Sequence, residues 1–156
     1  MSPEEVAVGT FTNAKVGSLV LPRTKYETLA LICEGDREPV AVLLDGDHAF
    51  LSFSSGRADQ WGGLIVPDVR IEFDESSLYD PDRSVPIIGS IVRREAKLII
   101  HAKAESHFGR FVEVVIKSGM PDCVGSAAFT RWQVVLGRGD EKRVLHKVDL
   151  RDPASS

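Results

Sequence analysis

Three side chains in this sequence have the types and spacing to manage a divalent cation: Asp68, which follows Pro67, and the pair Glu95 and Lys97, separated by Ala96. Carboxylates on neighbouring strands suit Mg²⁺, a hard ion that takes oxygen ligands, and the bound ion offsets charge developing on an attacked phosphate. A lysine beside them would stabilise the same charge. The competing reading is a solvated strand edge beside a turn. Two acids and a lysine at loose spacing recur by chance in a chain that is 27% charged.

The pattern Pro67-Asp68 with Glu95-Ala96-Lys97 resembles that of the PD-(D/E)xK nucleases. The resemblance covers residues 67–118. It implies a Mg²⁺-dependent nuclease with Asp68 and Glu95 as metal ligands and Lys97 beside the phosphate. A helix after the lysine-bearing strand would fit that family's layout. The sequence signals no acid-bearing helix ahead of Asp68, and several strands precede it.

The histidines offer a second set. His101 falls on a predicted strand at 96–104, sharing a face with Lys97, Ile99 and Lys103, while Leu98, Ile100 and Ala102 fill the other. That alternation puts His101 on a basic, exposed face, where it could contact a ligand. His107 follows six residues later, but two histidines with no cysteine nearby do not complete a zinc set. His146 shares a face with Val144, Val148 and Leu150, and is expected to be hydrogen-bonded and mostly buried. His48 follows Asp45-Gly46-Asp47, acids that form a turn and fall short of a calcium loop.

Trp61 stands in Gln60-Trp61-Gly62-Gly63. A large aromatic in a glycine-rich loop offers contact area at low entropic cost, or it plugs one end of a barrel. Trp132 alternates with Val134 and Leu136 and is expected in the core. Arg93, Arg94, Lys97, Lys103 and Arg110 put five cations within eighteen positions, enough to meet an anionic ligand. Glu95, Glu105 and Glu113 interrupt them, no row of stacking aromatics accompanies them, and the whole-chain pI is about 5.6. Those features argue against nucleic acid.

Phosphate-binding glycine loops, the GxSxG elbow, HExxH and the EF-hand loop are all absent from the sequence. No cofactor is expected. No apolar run approaches the ~20 residues of a membrane helix. The opening Met1-Ser2-Pro3-Glu4-Glu5 is acidic where a signal peptide is basic. Cys33 and Cys123 are far apart with no CxxC, so a cytoplasmic home with reduced thiols is expected. The net charge of −4 hides an asymmetry: residues 1–82 hold 6 basic and 15 acidic groups, residues 83–156 hold 13 and 8. Either the halves interleave in one fold, or an acidic and a basic face form. In the second case the acidic loop at 74–82 could pair with a basic half across a homodimer.

The elements that must position these groups read mostly as strands. Residues 26–33, 40–44 and 48–53, with Asp45-Gly46 between the last two, form a predicted three-stranded meander. Residues 18–21, 68–74, 87–92, 96–104, 129–136 and 144–150 carry further strand patterns, with Gly137-Arg138-Gly139-Asp140 turning between the last two. Residues 54–63 and 75–84 read as loops, and 152–156 as a fraying tail. Residues 106–118 fit two periods. Phe108, Phe111, Val112, Val115 and Ile116 make a helical stripe, while the β-branched run favours a strand.

The fold expected is mainly β: one domain, an antiparallel barrel or sandwich of about eight to ten strands, with a helix near 106–118 as an option. The strand, turn and strand order over residues 34–53 resembles the opening meander of flavin-binding split barrels, which implies a flavin-binding barrel as one reading. The leading reading is a non-catalytic module that binds a small molecule or a protein partner, with Trp61, Arg94, His101 and Arg110 as the contact residues.

Overall fold

The computed structural model describes residues 7–10, 14–22, 28–54, 62–83, 85–104, 110–121 and 125–150. These residues form two sheets packed face to face, with no α-helix among them.

The meander forms as the turn signals dictate. Strands β2 (Leu19–Pro22), β3 (Ala30–Cys33), β4 (Val40–Leu43) and β5 (Leu51–Ser54) pair antiparallel in sequence order. Strand β6 (Gly62–Val66) pairs with β2 and with β1 (Ala7–Thr10), completing one wing of the large sheet. The other wing holds β9 (Ile91–Arg94), β12 (Ala127–Phe129) and the short β8 (Leu78–Tyr79). Strand β10 (Lys97–Ala104) joins the wings. Its first half pairs antiparallel with β9, its last two residues run parallel to β5, and its other edge pairs along its length with β11 (Phe111–Lys117). The second sheet is β7 (Arg70–Phe73), β13 (Arg131–Leu136) and β14 (Arg143–Asp149), with β13 in the middle.

One core lies between the sheets. Leu19, Leu31, Val42, Ile91 and Ile100 of the large sheet meet Trp132, Val134 and Val148 of the small one, all buried. Trp132 is therefore core, as its alternation predicts, and its indole N–H donates to the Gly89 carbonyl at 2.8 Å. The large sheet also curls. The Glu34 and Gly35 amides donate to the carbonyls of Ile116 and Val115, bringing the end of β3 toward β11. No ladder closes a barrel among the described residues, and the arrangement is sandwich-like.

The join between β5 and β10 rests on an unusual residue. Phe50 adopts a left-handed φ of 68°. Its N–H donates to the Leu43 carbonyl and its carbonyl accepts from the Lys103 N–H. Its ring lies over Gly89, where a Cβ would stand 2.6 Å from the ring.

Three expectations need correction. The helical option at 106–118 gives way to strand β11 over Phe111–Lys117. There Val114 and Ile116 turn inward while Phe111, Glu113 and Lys117 stay exposed, so the period of two wins over the helical stripe. Residues 105–109 lie outside the described residues. The strands number fourteen among the described residues rather than eight to ten. The extra ones are short pieces in segments not read as strands, β8 and the start of β6 in predicted loops among them, and pairing rather than local pattern makes them strands. The β5–β10 pair is parallel, so the large sheet is mixed. Among the described residues the charges of the two halves meet across the small sheet, with Arg131 3.3 Å from Asp74 and Lys142 3.1 Å from Glu72.

Candidate functional site

On the face of the large sheet turned away from the core, β10 and β11 set three residue pairs directly opposite each other: Lys103 with Phe111, His101 with Glu113, and Ile99 with Val115. Side chains at such positions touch, because their Cβ atoms stand ~5 Å apart. The middle pair is polar. His101 is only 2% exposed, and its Nε2 lies 3.3 Å from Glu113 Oε2. The alternation of β10 correctly gives the face that His101 shares with Lys97 and Lys103. The expectation of exposure fails, because Glu113 and Phe111 of β11 and Ser90 in the segment before β9 stand against the ring.

The polar contacts continue on both sides of His101. Toward the interior, Nδ1 lies 3.3 Å from Ser90 Oγ. That hydroxyl also donates to the Ile87 carbonyl at 2.6 Å and lies 2.7 Å from the Tyr79 hydroxyl. Toward the surface, Glu113 accepts from Arg94 Nη1 at 2.9 and 3.1 Å, and Arg94 Nε donates to Ser126 Oγ at 3.2 Å. Arg94 sits opposite Lys97 on β9, two rows from Glu113. Its stem must therefore cross the Ile99 row, consistent with Ile99, Val92 and Ala128 being buried on this outer face. Phe111 stands beside the set, its ring edge-on to His101 at 5.3 Å and 44% exposed.

A serine, a histidine and a carboxylate in one line suggest nucleophilic hydrolysis, but the arrangement cannot run it. Ser90 is fully buried, so no substrate carbonyl can reach Oγ. What the line can do is hold Glu113, Arg94 and Phe111 rigidly at the surface, since a fully satisfied polar network restricts its members.

Of the four nominated contact residues, the structure joins Arg94 and His101 through Glu113. Arg110 is exposed immediately before Phe111, where its carbonyl accepts from the Ala104 N–H. Trp61 lies outside the described residues, as do His107 and Cys123. His146 is half-buried and its Nε2 contacts the Leu44 carbonyl at 3.2 Å, in keeping with the expected satisfied histidine.

The nuclease set is not brought together as one element. Asp68 is exposed in the connection between β6 and β7, with φ 57°. Glu95 and Ala96 form the tight β9–β10 turn at φ 52° and 58°, and Lys97 faces Arg94 across that hairpin. Among the described residues no three His, Cys, Asp or Glu side chains group to hold a metal ion.

Sequence reasoning missed Glu113, Ser90, Tyr79 and Ser126. Glu113 was legible in principle, since reading residues 111–117 as a strand hairpinned to β10 puts it opposite His101. The contacts of Ser90 and Tyr79 depend on how β8 and the segment before β9 fold, which no local pattern states.

The small sheet carries a second polar surface, a concavity of about 370 Å³ lined by Glu72, Asp74, Arg131, Gln133 and Lys147 among others. The Gln133 amide bonded to Glu72, aided by Lys142, holds that carboxyl below the usual carboxylate range. A smaller groove of about 220 Å³ runs beside Glu113, with Asp36, Glu38 and Ser52 in its walls.

No helix among the described residues is long and apolar enough to cross a membrane. The family model described as Y4lG, "Uncharacterised protein y4lG", matches residues 8–156. The chain is 40% identical over 156 residues to the uncharacterized protein y4lG of Sinorhizobium fredii (strain NBRC 101917 / NGR234), spanning 99% of this chain and 97% of that relative. No solved structure matches it.

Proposed function

For this chain, which belongs to the y4lG family, we propose a non-catalytic role: the outer β10–β11 face binds a protein partner. The observation that carries the reading is the pairing of an exposed aromatic with a hydrogen-bonded polar support anchored on a buried histidine. Phe111 is 44% exposed and sits opposite Lys103, while His101, Glu113 and Arg94 fix the surface beside it. Aromatic and arginine side chains held rigid at a surface are the usual centres of binding energy. The two grooves described above are open to solvent rather than enclosed, which favours a protein surface over a small ligand that needs burial. Part of the acidic loop is neutralised within the chain by Arg131, which favours a different protein over self-pairing through those charges.

The nuclease reading gains no comparable support from the separate placement of Asp68 and Glu95. The flavin reading gains none from the meander alone, because a shared strand order does not carry a function.

The test compares wild-type protein with Phe111→Ser and Arg94→Met, each shown to be folded by its thermal transition. A partner retained by the wild type in native mass spectrometry and lost from both variants supports the reading. A partner held equally by all three contradicts it.

A further inference from the structure

We propose that His101 acts as a proton-linked latch on the segment entering β9. The Ile87 carbonyl can only accept, and it lies 2.6 Å from Ser90 Oγ, so it takes the single serine proton. Ser90 Oγ is then an acceptor toward its other neighbours, the Tyr79 hydroxyl and His101 Nδ1. Nδ1 must therefore carry a proton. On the other side of the ring an ionised Glu113 can only accept, so Nε2 must carry one as well. Among the described residues, these contacts are satisfied together only when the imidazole is doubly protonated.

The groups around the ring fit that state. Glu113 faces it from β11, and Arg94 reaches it from β9 only through Glu113. Tyr79 reaches it from β8 only through Ser90. Lys97 and Lys103 share its face on β10 but both are exposed, as is Arg110 ahead of β11. Among the described residues the ring also meets the Phe111 ring, at 5.3 Å between centroids.

When the ring gives its Nδ1 proton to solvent, Nδ1 becomes an acceptor facing an oxygen with no hydrogen to offer. The repair is local. The Ser90 hydroxyl turns from Ile87 to Nδ1, and Nε2–H stays on Glu113. The Ile87 carbonyl keeps the Ser90 backbone N–H at 3.1 Å but loses the shorter bond. The protonated ring thus closes the Ser90–Ile87 clasp and the neutral ring opens it. The clasp lies next to two exposed apolar side chains, Val85 and Ile87. The latch sits beneath the proposed binding face, but its test needs no partner, so a face that binds nothing leaves it standing.

The test is NMR on uniformly ¹⁵N,¹³C-labelled full chain, following the His101 ring nitrogens and the Ile87 carbonyl carbon from about pH 5 to 9, the span in which histidine changes charge. The expected result is a doubly protonated ring at the acid end and the Nε2–H tautomer at the alkaline end. The Ile87 carbonyl resonance moves upfield with the same midpoint. In Ser90→Ala, His101 still titrates but Ile87 no longer follows. A ring in one protonation state throughout, a neutral Nδ1–H tautomer, or an unmoved Ile87 carbonyl in the wild type overturns the proposal. Ile87 following pH in Ser90→Ala does so as well.

Discussion

Glu113 stands directly opposite His101 on adjoining strands, and one carboxylate oxygen serves both the buried ring, at 3.3 Å, and the half-exposed Arg94 guanidinium, at 2.9 Å. That shared oxygen ties the surface of the β10–β11 face to its interior. Removing Glu113 therefore costs more than removing Arg94, because it strips a buried donor of its acceptor. Glu113→Ala should lower stability by about 1–3 kcal/mol, the penalty of an unsatisfied buried group. Arg94→Met, which keeps a stem over Ile99, should cost under about 1 kcal/mol, as for a partly exposed ion pair. Urea unfolding of both variants checks the order, and equal losses would mean that the His101 contact carries no weight.

Gly89 cannot take a side chain. Its φ is 92°, and a Cβ would press on the Phe50 ring at 2.6 Å. Gly89→Ala should destabilise by about 2–4 kcal/mol, combining left-handed strain with overpacking. In a Phe50→Ala background the same change should cost less, because the obstructing ring is gone. Additive losses in that cycle would show that the ring contact does not limit the site.

Glu72 gives a pH dependence with a definite sign. Its folded-state carboxyl is held low by the Gln133 amide first and Lys142 next. A lowered carboxylate contributes stability that is present above its unfolded titration range and is lost as pH falls through the folded one. Glu72→Gln should thus be less stable than wild type near neutrality, by under about 1 kcal/mol for so accessible a group. The difference should close in acid. Urea midpoints measured across that range decide it, and a gap that widens in acid would reverse the assignment.

Cys33 is fully buried in the core, and burial pushes its thiol far above the usual range. Thiolate is the reactive form, so Cys33 should resist thiol reagents in the folded protein. In a Cys123→Ser background, labelling by an aromatic disulfide should appear only in denaturant. Rapid labelling without denaturant would contradict the burial.

The parts of this fold legible in the sequence were those written in local alternation. The meander around Asp45-Gly46, the half-buried strand at Arg70–Phe73 and the core position of Trp132 all follow from period-two patterning and turn chemistry. Residues 111–117 satisfy two periods at once, and only pairing with β10 separates them. Strand β8 is two residues long and has no pattern of its own. The site was half legible for the same reason. Arg94 and His101 stand out as residue types, but Glu113 joins them through register, and Ser90 through residues 87–90, which carry a strand pattern but turn before β9 begins at Ile91.

Whether the β10–β11 face is the binding surface is decided by photo-crosslinking in the source cells. A photoreactive amino acid replaces Lys103, opposite Phe111, or as a control Lys147, exposed on the small sheet. The account predicts one discrete protein adduct from position 103 that disappears when Phe111→Ser is added, and none from position 147. An adduct from position 147 alone, or one from 103 that persists without Phe111, would contradict it.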